Sequence, residues 1–97
     1  MDLLPRQDWL TSEELARDKI FLRQAVQRQA EVRVANALLR DGHSSRALEV
    51  LQNAGRRYGD SRFLLEALAE AYTREGKQRQ AEETRLRLKT LLDRRLY

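Results

Sequence analysis

The residues that could do chemistry are few, and their spacing is poor for it. Glu13-Glu14 and Glu82-Glu83 are adjacent carboxylates. Adjacent helical residues point about 100° apart, so neither pair converges on a shared proton or metal, and salt bridging to nearby arginines is the plainer role. His43 is the single histidine and cysteine is absent, so the chain offers neither a transition-metal ligand set nor thiol chemistry. It contains no GxSxG, no phosphate-binding GxxxxGK[ST] and no GxGxxG. No enzymatic activity, cofactor or metal is expected. What remains is cationic. Arg56-Arg57, Arg85 with Arg87, and Arg94-Arg95 could contact phosphates, but aromatic residues for base stacking are not interleaved with them; only Tyr58 and Tyr97 lie nearby. Arg40, Arg56, Arg57, Arg74, Arg94 and Arg95 stand where helix C-termini are expected, and there a cation offsets the helix dipole.

The elements that must position these residues are helical. Ala, Leu, Arg, Glu and Gln dominate, the only proline is Pro5, and alternation of β-branched residues is limited to Val32 and Val34. The 97 residues form one small domain with a thin core. The net charge of +4 comes from 19 Lys+Arg against 15 Asp+Glu, with acids among the bases almost everywhere, unlike the one-sided clustering of dedicated nucleic-acid binders. Met1 to Leu10 carries Asp2, Arg6 and Asp8 and lacks a signal-peptide pattern. No apolar run approaches the ~18 residues of a membrane span. A cytoplasmic location is the expectation.

Residues 1–10 read as a short arm bearing Leu3, Leu4, Trp9 and Leu10. Thr11 and Glu14 have capping-box spacing, which predicts a helix from Thr11 or Ser12. Glu13 to Arg40 contains neither Gly nor Pro. Either one long helix runs from about 12 to 40 or two helices meet near Gln27–Ala30, and the drift from a Leu15–Leu22–Val26 stripe to an Ala30–Val34–Ala37–Leu38 stripe favours the break. Asp41-Gly42 closes the stretch. A helix then runs from Ser44 or Ser45 to Arg57, with Ser44 as N-cap and Ala47, Leu48, Leu51 and Ala54 inward. After Tyr58-Gly59-Asp60, a third helix covers Ser61 to Glu75, with Leu64, Leu65, Leu68, Ala69 and Tyr72 inward. A last helix covers Gln78 to Arg95.

At an offset of 34 residues the chain matches itself. Arg28/Arg62, Ala35/Ala69, Ala37/Ala71, Arg40/Arg74, Gly42/Gly76, Ala47/Ala81 and Glu49/Glu83 are identical pairs. A 34-residue unit of two helices is the tetratricopeptide period, and the chain resembles that family. Val34, Ala35, Leu38, Gly42, Ala47, Leu51 and Ala54 stand where it prefers large, small, large, glycine, small, large and small residues. Leu68, Ala69, Tyr72, Gly76 and Ala81 repeat the pattern. Gly59 and Asp93 replace the family's proline, Arg85 and Leu88 depart from its second helix, and Glu31 and Leu65 replace its early aromatic. Glu13 and Arg17 would occupy core positions of a third unit, so the N-terminal helix reads as an addition. The resemblance implies an all-α fold: two tetratricopeptide-like hairpins, a fragment of a right-handed α-α superhelix, with an extra N-terminal helix. The parts are an arm and extra helix at 1–27, a first repeat at 28–61, and a second repeat with an extended last helix at 62–97.

The resemblance also implies a non-enzymatic protein-binding module, such as an adaptor, scaffold, assembly factor or co-chaperone-like protein. Its groove would be lined by Gln29, Arg33, Asn36, Leu39, Arg40, Phe63, Glu66, Glu70 and Arg74, with Val32, Ala67 and Thr73 among the outward positions. Asn36 fits one position of the family's carboxylate clamp, but Val32, Glu66 and Ala67 do not fit the others, so that clamp is not expected. Repeat arrays need polar end caps. Leu86, Leu88, Leu91, Leu92 and Leu96 cannot all point into a two-hairpin core. Trp9, Leu88, Leu91, Leu92 and Leu96 are therefore the expected association face for a homo-oligomer or a hetero-complex, unless the N-terminal helix folds back over it. The alternative is a basic helical protein associated with nucleic acid.

Overall fold

A computed structural model describes residues 12–95, and side chains from Lys19 to Arg94. Trp9, Leu96 and the Thr11–Glu14 capping box are expectations that fall outside what is described. The described chain is all-helical, with no strand: α1 (Ser12–Arg40), α2 (Ser44–Tyr58), α3 (Arg62–Arg74) and α4 (Gln78–Arg95). No helix of the described residues is long and apolar enough to cross a membrane.

The expected break near Gln27–Ala30 does not occur. α1 runs for 29 residues without interruption, because the stretch has no Gly or Pro to stop it. The extra helix and the first hairpin helix are therefore one element, and the 27/28 boundary falls inside it. The drift of apolar residues has another cause. Leu22 and Val26 do not face the core at all; they are 62% and 69% exposed.

Two of the three helix–helix turns, α1–α2 and α3–α4, repeat at 34 residues, bond for bond. Gly42 and Gly76 have φ of +84° and +75°. In the first turn the N–H groups of Asp41, Gly42 and His43 donate to the carbonyls of Ala37, Leu39 and Leu38. In the second, Glu75, Gly76 and Lys77 donate to Ala71, Thr73 and Tyr72. This is a Schellman closure, which needs a left-handed residue where the glycine stands. Gly59 also has positive φ, +81°. Proline is locked near −65°, so the family's proline could not stand there with this backbone.

Two caps follow different rules. Ser44 is not the N-cap of α2; His43 occupies that position and offers no side-chain bond. Ser44 is the first helical residue, and its hydroxyl donates instead to the Glu75 carboxylate at 2.6 Å, tying one turn to the other. Ser61 does cap α3, its Oγ accepting from the Leu64 N–H at 3.1 Å.

α1 packs on α2 and α4 on α3, and α3 contacts both α1 and α2. The core comprises Val32, Ala35, Leu39, Ala47, Leu48, Leu51, Ala54, Leu64, Leu65, Ala67, Leu68 and Ala71. Small residues on facing helices let the backbones approach, and each large side chain buried contributes roughly 1.5–3 kcal/mol. The side of α1 that faces inward differs from the expected one. Val32 and Leu39 are 2% and 4% exposed, whereas Val34 is 51% exposed. The reason is that α3 presses on α1 as well as on α2. The i, i+3, i+7 row Val32–Ala35–Leu39 is covered, and Val34, two residues round, is turned away. Polar ties reinforce the packing: Arg28 donates to the Tyr58 carbonyl (2.9 Å), Arg74 to the Leu39 carbonyl, and the Gln52 amide to the Tyr72 hydroxyl (3.2 Å).

Among the described side chains of α1, only those of its C-terminal part take part. From Lys19 to Gln27 every residue but the half-buried Ala25 is exposed, and continuous packing begins near Arg28. α1 is roughly 43 Å long and α2 roughly 22 Å, so the N-terminal half of α1 projects beyond the hairpin.

Candidate functional site

The expected groove divides into surface and structure. Gln29, Arg33, Asn36 and Arg40 on α1, and Phe63, Glu66, Glu70 and Arg74 on α3, are exposed. Leu39 is not a groove residue, nor are Val32 and Ala67, for all three are buried. The charges on the α3 side are already paired. Arg62 Nε meets Glu66 at 3.0 Å and Arg74 Nε meets Glu70 at 2.9 Å, both across one helical turn. Arg74 also holds the last turn of α1 through the Leu39 carbonyl, which gives it a structural task. The Arg62 guanidinium lies 5.9 Å from the Phe63 ring centroid. The cations and amides left to contact a ligand therefore lie on α1.

The leucines of α4 also separate. Leu88 and Leu91 are half-buried against the core, Leu92 is half-buried, and Leu86 is 65% exposed. Leu65, Leu86 and Leu91 line a cleft of about 350 Å³ between α3 and α4, with Asp60, Arg87, Thr90 and Arg94 at its rim. Arg87 is ion-paired with Asp60 across that rim.

The 34-residue equivalence shows how the surfaces of the two hairpins differ. α3 covers the first hairpin over Val32, Leu39, Leu48 and Leu51, all buried. The equivalents in the second hairpin are Glu66, Thr73, Glu82 and Arg85. Where Leu39 and Leu51 are buried, the Arg85 guanidinium donates to the Thr73 hydroxyl at 2.8 Å, and that hydroxyl donates on to the Ala69 carbonyl at 2.9 Å. The equivalent surface of the second hairpin is thus polar where that of the first is apolar and covered by α3. The sequence carries this signal in the mismatches at an offset of 34 residues, where Val32, Leu39, Leu48 and Leu51 pair with Glu66, Thr73, Glu82 and Arg85.

Among the described residues the opposite end shows no such polar cap. Leu22, Val26, Ala30 and Val34 form an i, i+4 row on α1, all exposed. Ala30, Val34 and Ala37 are the equivalents of Leu64, Leu68 and Ala71, the buried residues with which α3 meets the first hairpin. Ile20 and Phe21 are exposed as well, at 54% and 69%. Among the described residues no cluster of three or more His, Cys, Asp or Glu side chains could hold a metal ion. No family model, curated protein or solved structure matches the chain.

Proposed function

We propose that this chain is a tetratricopeptide-like helical adaptor that binds another protein and catalyses no reaction. The observation that carries this is the exposed apolar row of α1, set where α3 in the next hairpin has its buried contact face. Contiguous exposed apolar surface of this kind marks interaction sites. The turn-for-turn repeat of the hairpins at 34 residues, the tetratricopeptide period, supports the same reading.

The second reading, nucleic-acid association, rests on the charge of α1. From Lys19 to Arg40 the helix carries five cations, Lys19, Arg23, Arg28, Arg33 and Arg40, against Glu31 alone. Arg28 is already engaged by the Tyr58 carbonyl, and among the other four the exposed neighbours are mainly leucine, isoleucine and valine, with Phe21 a single aromatic rather than an interleaved stacking series.

The test is affinity capture from native extract, with and without nuclease, using wild-type chain and a Leu22→Glu/Val26→Glu variant. At least one protein enriched tenfold or more, insensitive to nuclease and lost in the variant, is the expected result. Enrichment that disappears with nuclease contradicts it in favour of nucleic acid.

A further inference from the structure

We infer that the exposed face of α1 docks a partner helix that is amphipathic and acidic at its flanks. This deepens the protein-binding reading and rests on it. The face is helical throughout. Leu22 to Val34 spans twelve residues, roughly 18 Å, and Ala30 leaves a shallow gap between Val26 and Val34 into which a partner side chain can pack. Such an i, i+4 row suits a helix laid alongside it.

The charges choose the partner. Lys19, Arg23, Arg33 and Arg40 are exposed on this same side of the helix. The only acid between Lys19 and Arg40, Glu31, is half-buried on another side, in a small cleft with Val50, Ala54 and Tyr58. A helix with carboxylates beside its apolar stripe meets four cations; a basic one meets repulsion.

A second copy of this chain fits worse. An antiparallel α1–α1 pair centred on the row sets Arg23 of one copy against Arg33 of the other, and a parallel pair sets each cation beside its duplicate. Head-to-tail stacking would bring the row to the polar surface of Glu66, Thr73, Glu82 and Arg85. Leu22, Val26 and Val34 together expose only a few hundred Å², which suits a reversible contact at the small end of interface sizes.

The test uses a panel of fluorescent helical peptides with one fixed leucine stripe and flanks varied from fully glutamate to fully lysine. Binding to the full chain is read by anisotropy. Affinity should rise steadily with negative flank charge. Val26→Glu should weaken the glutamate peptide by about tenfold or more, and Arg23→Glu/Arg33→Glu by about tenfold at low salt and less at high salt. Leu86→Ser, on α4, should change nothing, and circular dichroism should show that all variants keep their helix. Affinity that is flat or inverted with flank charge overturns the inference, as does absence of binding. So does a concentration-dependent homodimer that Val26→Glu dissociates. So does a tenfold gain in peptide affinity on deleting residues 1–11, which would make that segment the occupant. If these peptides fail while a captured protein still depends on Leu22 and Val26, the protein-binding reading stands and only the acidic-helix inference falls.

Discussion

Leu39 separates a surface role from a structural one, and a single truncation decides between them. On the family pattern it lines a groove; in the fold it is 4% exposed and lies in the core with Val32, Ala35 and Leu51. Leu39→Ala removes three carbon atoms, worth about 2.4 kcal/mol in lost burial. The cavity left behind adds to this, so a loss near 3 kcal/mol is expected, within the 2–5 kcal/mol typical of such sites. A chain of this length has about 5–15 kcal/mol of stability in all. The same loss should lower the melting temperature by between about 12 and 24 °C. Leu22→Ala, at a position 62% exposed, should cost under about 0.5 kcal/mol. The assay is urea and thermal unfolding followed by circular dichroism at 222 nm, with the urea m-value compared to confirm a common unfolded state. A Leu39→Ala loss below about 1 kcal/mol, or equal to that of Leu22→Ala, would refute the placement of α3 over that face of α1.

Ser61→Ala should lose about 1 kcal/mol by removing the cap on the Leu64 N–H, whereas Ser44→Ala, which breaks only an exposed bond to Glu75, should lose under about 0.5 kcal/mol; paired urea titrations compare them. Gly42→Ala and Gly76→Ala should each cost about 1–2 kcal/mol from the left-handed backbone alone, because a Cβ at either site meets nothing within 4 Å; thermal melts of the singles and the double should show nearly additive losses. Arg74→Met should cost about 1 kcal/mol through the lost donation to the Leu39 carbonyl, while Arg79→Met, whose pair with Glu83 is almost wholly exposed, should leave the melting curve unchanged.

The hairpins were legible because their signals are local. Gly42 and Gly76 punctuate the chain, the alanines mark close helix contacts, and α4 keeps the expected ends Gln78 and Arg95. The facing of α1 was not legible. Its apolar residues serve two environments, a core row at Val32–Ala35–Leu39 and an exposed row at Leu22–Val26–Ala30–Val34. No single periodicity describes both, and the sum of the two suggested a break. The polar surface of the second hairpin was hidden for a different reason. Glu66, Thr73, Glu82 and Arg85 look like ordinary surface residues until the fold shows that their equivalents are buried. Of the expected association face, Leu88, Leu91 and Leu92 are half-buried, Trp9 and Leu96 lie outside the described residues, and a further exposed apolar row runs along α1.

Site-specific photocrosslinking in cells tests the central claim most directly, with benzoylphenylalanine at position 26 on the α1 row or at position 82 on the polar surface of the second hairpin. A discrete protein adduct, sensitive to protease and resistant to nuclease, should form at position 26 and not at position 82. Adducts confined to position 82, or adducts at position 26 that nuclease removes, would contradict it.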